Sequence, residues 1–78
     1  MDPQDIKQMI ENGMQNSQVS VEGDGTHFEA LIISAEFEGK SLIQRHKLVY
    51  EVLGDAMQEQ IHALSMKTYT PEQWENLK

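Results

Sequence analysis

Gln18-Val19-Ser20-Val21-Glu22, Gly23-Asp24-Gly25 and Phe28-Glu29-Ala30-Leu31-Ile32-Ile33 together decide the fold. The first run alternates apolar and polar residues as a half-buried strand does, and the two glycines and Asp24 tolerate the positive φ of a tight turn. The third run should therefore return antiparallel to the first. It is apolar on both sides over Ala30 to Ile33, which suits the middle of a small sheet covered on at least one face.

Outward from this hairpin the signals are helical. Asp2 before Pro3 starts a helix, because the Asp oxygen accepts from free amides and Pro at the first helical position gives up no bond. Ile6, Met9, Ile10 and Met14 then form one stripe. After Gly39, Ser41 and Gln44 make a capping-box pair. Leu42, Val49, Leu53 and Met57, flanked by Ile43, Tyr50 and Ala56, carry a second helix from about 41 into the fifties, with Gly54 placed to kink or divide it. Ile61 to Tyr69 reads as a short third strand. Thr70-Pro71-Glu72-Gln73 opens a terminal helix that Trp74 and Leu77 can dock onto the sheet.

The expected order is helix, strand, strand, helix, strand, helix, an α+β arrangement. The connection between the second and third strands is long enough for a crossover helix, so these strands should be parallel. Parallel strands begin at the same sheet edge. His27, just before the second strand, and His62, at the start of the third, are thereby expected on one exposed rim.

The 78 residues allow a single domain over residues 1–78, since a chain of this size buries too little surface to divide further. It contains no cysteine, so neither a disulfide scaffold, a Cys-ligated zinc site nor a thiol nucleophile can be built from it. Thirteen acidic residues against six basic give a net charge of -7, the wrong sign for holding a phosphate backbone. The longest apolar run, Ala30 to Ile33, is far short of a membrane span. The acidic start Met1-Asp2-Pro3-Gln4-Asp5 is unlike a signal peptide, and a soluble cytoplasmic protein is expected.

Three histidines are the first chemistry to weigh, imidazole being a common metal ligand. His46 falls on the apolar stripe of the long helix and is assigned a structural, hydrogen-bonded role. His27 and His62 are ligand candidates, but two histidines do not complete a tetrahedral site. Gly39-Lys40-Ser41 looks like the tail of a phosphate loop, yet Ser34 stands where that loop needs its first glycine. Lys40, Arg45 and Lys47 form the one local basic cluster, a candidate for docking a partner or nucleic acid. Neither a paired-carboxylate site nor a nucleophile with a base emerges, which argues against an enzyme. The methionines sit mostly at core spacing.

The segments Phe37 to Tyr50, FEGKSLIQRHKLVY, and Ile61 to Trp74, IHALSMKTYTPEQW, closely resemble the BolA family, and Val21 to Ser34, VEGDGTHFEALIIS, resembles its short-looped bacterial IbaG or YrbA branch. The resemblance implies a class II KH-like fold of order αββαβα with a three-stranded mixed sheet packed against helices. It also implies a heterodimer with a monothiol glutaredoxin that shares a [2Fe-2S] cluster in iron-sulfur trafficking or iron regulation. The isolated protein would hold no cofactor and would be a monomer or weak homodimer. In the family the glutaredoxin cysteine and glutathione supply thiolates, and the histidine of the I-H-A segment, here His62, supplies imidazole. The loop between the first two strands supplies a second ligand, for which His27 is the candidate. The family also includes transcription regulators, so DNA binding through Lys40, Arg45 and Lys47 is the alternative. Against it stand the charge of -7 and the lack of a G-x-x-G clamp.

Overall fold

The computed structural model describes residues 2–59, 61 and 63–77, with Gln58 and Glu59 by backbone alone. Its elements are α1 (Pro3–Gly13), β1 (Ser17–Gly23), β2 (His27–Ser34), a 3-10 turn (Ala35–Phe37), α2 (Leu42–Leu53), the one-turn α3 (Ala56–Glu59), β3 (Ala63–Tyr69) and α4 (Pro71–Leu77). The sheet has the order β1-β2-β3. β1 pairs antiparallel with β2 and β3 pairs parallel with it. The order and the mixed sheet are those of the class II KH-like fold.

The registers explain the core. Val19, Ile32 and Thr68 form one row across the sheet, Val21, Ala30 and Met66 the next, and Gly23, Phe28 and Leu64 a third. These residues share one face, because side chains alternate along a strand. Ile6 and Ile10 of α1, Met14 at its C-cap, and Val49 and Leu53 of α2 pack in the same buried cluster as the sheet residues. Removing each such aliphatic chain from water contributes roughly 1.5–3 kcal/mol. The opposite face carries Ser20, Glu22, Glu29, Ser65 and Lys67, all exposed.

Local signals close the elements. Asp2 caps α1 in a capping box with Asp5, and Ser41 caps α2 in a box with Gln44. Thr70 and Gln73 exchange the equivalent bonds at α4. α2 ends at Gly54, whose φ of 57° lies in the left-handed region and whose N–H donates to the Tyr50 carbonyl. The long helix is thus divided, and α3 follows it.

Three expectations are corrected. Leu42, Ile43 and Tyr50 are exposed, at 64%, 70% and 41%, instead of lying on the core. The inward face of α2 is Arg45, Val49 and Leu53, and Phe37 of the 3-10 turn is fully buried in the core. Leu77 is likewise exposed, so Trp74, with its ring centroid 5.7 Å from that of Tyr69, is the aromatic contact that holds α4. Ile61 belongs to the core but not to β3, which begins at Ala63; its N–H donates to the Ala56 carbonyl and finishes the α3 turn.

Gly13, the last residue of α1, sits where α1 meets α2. A Cβ there would collide with Cγ1 of Val52 and press on the rest of that side chain. Val is stiff at χ1 within a helix and does not step aside freely. Gly13→Ala, which in an open helix would stabilise by about 1 kcal/mol, is therefore expected to destabilise by about 1 kcal/mol through overpacking. Thermal unfolding followed by circular dichroism checks this: the melting temperature should fall in Gly13→Ala and recover in Gly13→Ala with Val52→Ala.

Candidate functional site

The turn before His27 is built by three residues with different tasks. Gly25 has a φ of 100° and needs its freedom. Gly23 has none to spare for a side chain, since a Cβ would meet the His27 carbonyl oxygen and the Phe28 ring. Asp24 clamps the backbone of His27 from both sides. Its Oδ1 accepts from the N–H of Thr26 at 2.9 Å and of His27 at 3.0 Å, and its own N–H donates to the His27 carbonyl at 3.3 Å.

This short Asx-type loop delivers His27, exposed, as the first residue of β2. In the parallel ladder His27 pairs with Ala63, the first residue of β3. The two strands therefore start at one rim, as the length of the crossover requires. His62, the residue before Ala63 in the chain, lies outside the described residues. Among the described residues no group of three or more His, Asp or Glu side chains is set to hold a metal. A metal at this rim would need further donors, and with no cysteine in the chain any thiolate among them must come from elsewhere.

The expected basic cluster is not one surface. Lys40 and Lys47 are exposed, the Lys40 Nζ donating to the Glu36 carbonyl at 2.9 Å. Arg45 is buried at 7% exposure. Its Nε donates to the Lys40 carbonyl, and its Nη1 donates to the Thr68 carbonyl and to Gln73 Oε1. It ties α2 to the loop before it, to the end of β3 and to the start of α4, which removes it from the docking set. His46 is half-buried, and its ring forms no hydrogen bond among the described residues, so the hydrogen-bonded role expected for it is not seen. The clamp by Asp24 was not anticipated, although an Asp two and three residues before the amides it caps is its sequence signature. The inward turn of Arg45 was also missed; its spacing of four to Val49 and eight to Leu53 was the available sign.

A profile of BolA-like proteins matches residues 3–73. BolA-like protein 2 of Mus musculus is 40% identical over 74 residues, covering 88% of this chain and 85% of that protein. The acid stress protein IbaG of Escherichia coli K12 is 33% identical over 75 residues, covering 95% and 89%. The solved structure of a bolA protein homologue from Coxiella burnetii superposes with a TM-score of 0.89 at 54% identity, over 96% of this chain and 97% of that one. The chain belongs to the BolA family, on its IbaG-like branch. Among the described residues no helix is long and apolar enough to cross a membrane.

The N–H groups of His27, first, and Thr26 hold the Asp24 carboxyl below its ordinary value of 3.8. Folding thus favours the carboxylate, and its contribution to the loop is complete above the ordinary value and is lost as pH falls through the lower, folded one. The carboxyl-carbon resonance of Asp24 in NMR spectra is expected to titrate with its midpoint below that ordinary value. Asp24→Ala should abolish the exchange protection of the Thr26 and His27 amides at neutral pH. Asp24→Asn should keep part of the protection without the acid titration. Unchanged protection in Asp24→Ala would contradict the clamp.

Proposed function

We propose that this protein is a non-enzymatic, cytoplasmic adaptor of iron-sulfur cluster trafficking. It binds a monothiol glutaredoxin as a heterodimer and shares a [2Fe-2S] cluster through His62, with His27 as the second ligand. The observation that carries this reading is the pairing of exposed His27 with Ala63, the residue next to His62, at one sheet edge.

The donor set fits a shared cluster better than a private one. The chain offers neutral imidazoles and no thiolate, so the glutaredoxin cysteine and glutathione complete the ligation. Exchanging thiolates for imidazoles makes the cluster less negative and raises its reduction potential, as in Rieske centres. The cluster is cargo in this reading: the chain's own part is to present one imidazole on an Asp24-clamped strand start and a second from His62, the residue before Ala63 in the chain. A site open at an interface suits transfer. Lys47 and Lys40, exposed on and beside α2, are the docking candidates that remain once Arg45 is assigned to the interior.

The nucleic-acid alternative loses support with Arg45. Of the expected basic cluster only Lys40 and Lys47 stay exposed, which on a chain of charge -7 leaves little for phosphate contacts, and such binding would fall steeply with salt.

Titrating the protein into a cluster-loaded monothiol glutaredoxin, with visible circular dichroism as the readout, is expected to produce a new spectrum that saturates at one chain per glutaredoxin. His62→Ala should abolish the change while the far-ultraviolet spectrum stays native, and His27→Ala should weaken or alter it. An identical visible spectrum with His62→Ala would remove the assignment. No change with the unaltered protein would remove the function.

A further inference from the structure

The two edges of the sheet are finished differently. On β3, at one edge, Lys67 is exposed and the Thr68 carbonyl is already taken by Arg45. β1, at the other, reads Ser17-Gln18-Val19-Ser20-Val21-Glu22-Gly23. It carries no proline, lysine or arginine, and its register with β2 runs through all seven residues without a bulge. It therefore lacks the devices that ordinarily keep an edge strand from pairing.

The hairpin determines which groups lie open. The Asp24 N–H donates to the His27 carbonyl, so the alternation of an antiparallel ladder turns the backbone of Glu22, Ser20 and Gln18 towards β2. The N–H and C=O groups of Ser17, Val19, Val21 and Gly23 point to the free edge. Among the described residues no backbone group outside the sheet ladder bonds to them.

We propose that this edge pairs with the same edge of a second copy, antiparallel about a two-fold axis through Ser20, to give a continuous six-stranded sheet. With Ser20 on the axis, Val19 meets Val21 of the copy and Ser17 meets Gly23, so open groups bond to open groups along the whole strand. The side chains agree. Gln18 comes opposite Glu22 of the copy, an amide donor facing a carboxylate, and valine faces valine on the core side. Sliding by two residues, the smallest step that keeps open groups opposed, leaves two residues of each strand unpaired and loses the Gln18–Glu22 match. An isologous contact needs such self-complementarity, which favours a second copy over a strand of another protein.

The helix above the edge has the same property. α1 lies against β1 and α2, and Gly13 marks the side that meets Val52 of α2. Lys7 and Glu11, paired at 3.3 Å, stand on the opposite side, towards the free edge. Beside its copy this patch meets the reverse of itself, lysine to glutamate. The His27–Ala63 pair lies across β2 from the edge, so self-association leaves the histidine rim open. A contact one strand long is smaller than a standard interface, and a net charge of -7 on each copy opposes it. The dimer is therefore weak and forms as concentration rises.

Sedimentation velocity and amide hydrogen exchange of the intact protein, from micromolar to millimolar concentration, test this. A monomer–dimer equilibrium is expected, tightening as salt screens the net charge. The Val19 and Val21 amides should gain protection as the dimer forms, while those of Ser20 and Glu22, bonded to β2, stay protected throughout. Ser20→Lys, at an exposed position, brings like charges together on the axis and should raise the dissociation constant about fivefold without lowering the melting temperature of the monomer. Gln18→Lys, facing Glu22 of the copy, should lower it about fivefold at low salt. The proposal is overturned by a protein that stays monomeric at millimolar concentration, by a dimer in which the Val19 and Val21 amides stay open, or by a dimer that either variant leaves unchanged. Protection of those amides only on adding cluster-loaded monothiol glutaredoxin would also overturn it, since the edge would then belong to that partner.

Discussion

The parallel pairing of β2 with β3 is the constraint on which the rest depends. An antiparallel partner could have been reached by a second tight turn; a parallel one requires the chain to travel the length of the sheet and return. The 3-10 turn, α2 and α3 make that journey, and α2 supplies Val49 and Leu53 to the core on the way. Because the strands run the same way, their first residues, His27 and Ala63, face each other. The connection that makes the core also makes the rim.

Much of this was legible in residue order. Gly23-Asp24-Gly25 between two strand-like runs, the capping pairs at Asp2, Ser41 and Thr70, and the Ile6-Ile10-Met14 stripe each specify a local structure with a physical reason, and each is present. The parallel placement of β3 followed from loop length alone. What failed to show was which group occupies a given space. Periodicity put Leu42 on the core because Leu is apolar, but Leu42 is exposed and Phe37, in a short 3-10 turn outside any periodic pattern, is buried in the core. Periodicity aligns Arg45 with Val49 and Leu53, but its charge argues against burial, and the acceptors that make burial possible, on Thr68 and Gln73, come from 23 and 28 residues further along the chain. Trp74 was read correctly as an anchor and Leu77 was not, because a seven-residue helix presents only one turn to the sheet.

The two ends of the sheet are finished differently. At the hairpin end an exposed carboxylate organises backbone around a single exposed histidine, all with local contacts. At the far end a buried arginine gathers three segments that are distant in sequence, and Thr68 keeps a hydroxyl unsatisfied. Local construction leaves the histidine rim rigid yet accessible. Long-range construction makes the arginine end a joint of the fold. Of the two ligand candidates, His27 is placed by this geometry, whereas His62 lies outside the described residues and rests on the family resemblance and on its place before Ala63.

The most direct test of the central claim looks at the atoms bound to iron. The chain would be labelled with 15N-histidine, joined to an unlabelled cluster-loaded monothiol glutaredoxin, reduced by one electron and measured by electron-nuclear double resonance. Strong 15N couplings that vanish with His62→Ala, with a second coupling lost in His27→Ala, are the predicted result. Absence of any 15N coupling in a complex that has formed would contradict ligation by this chain.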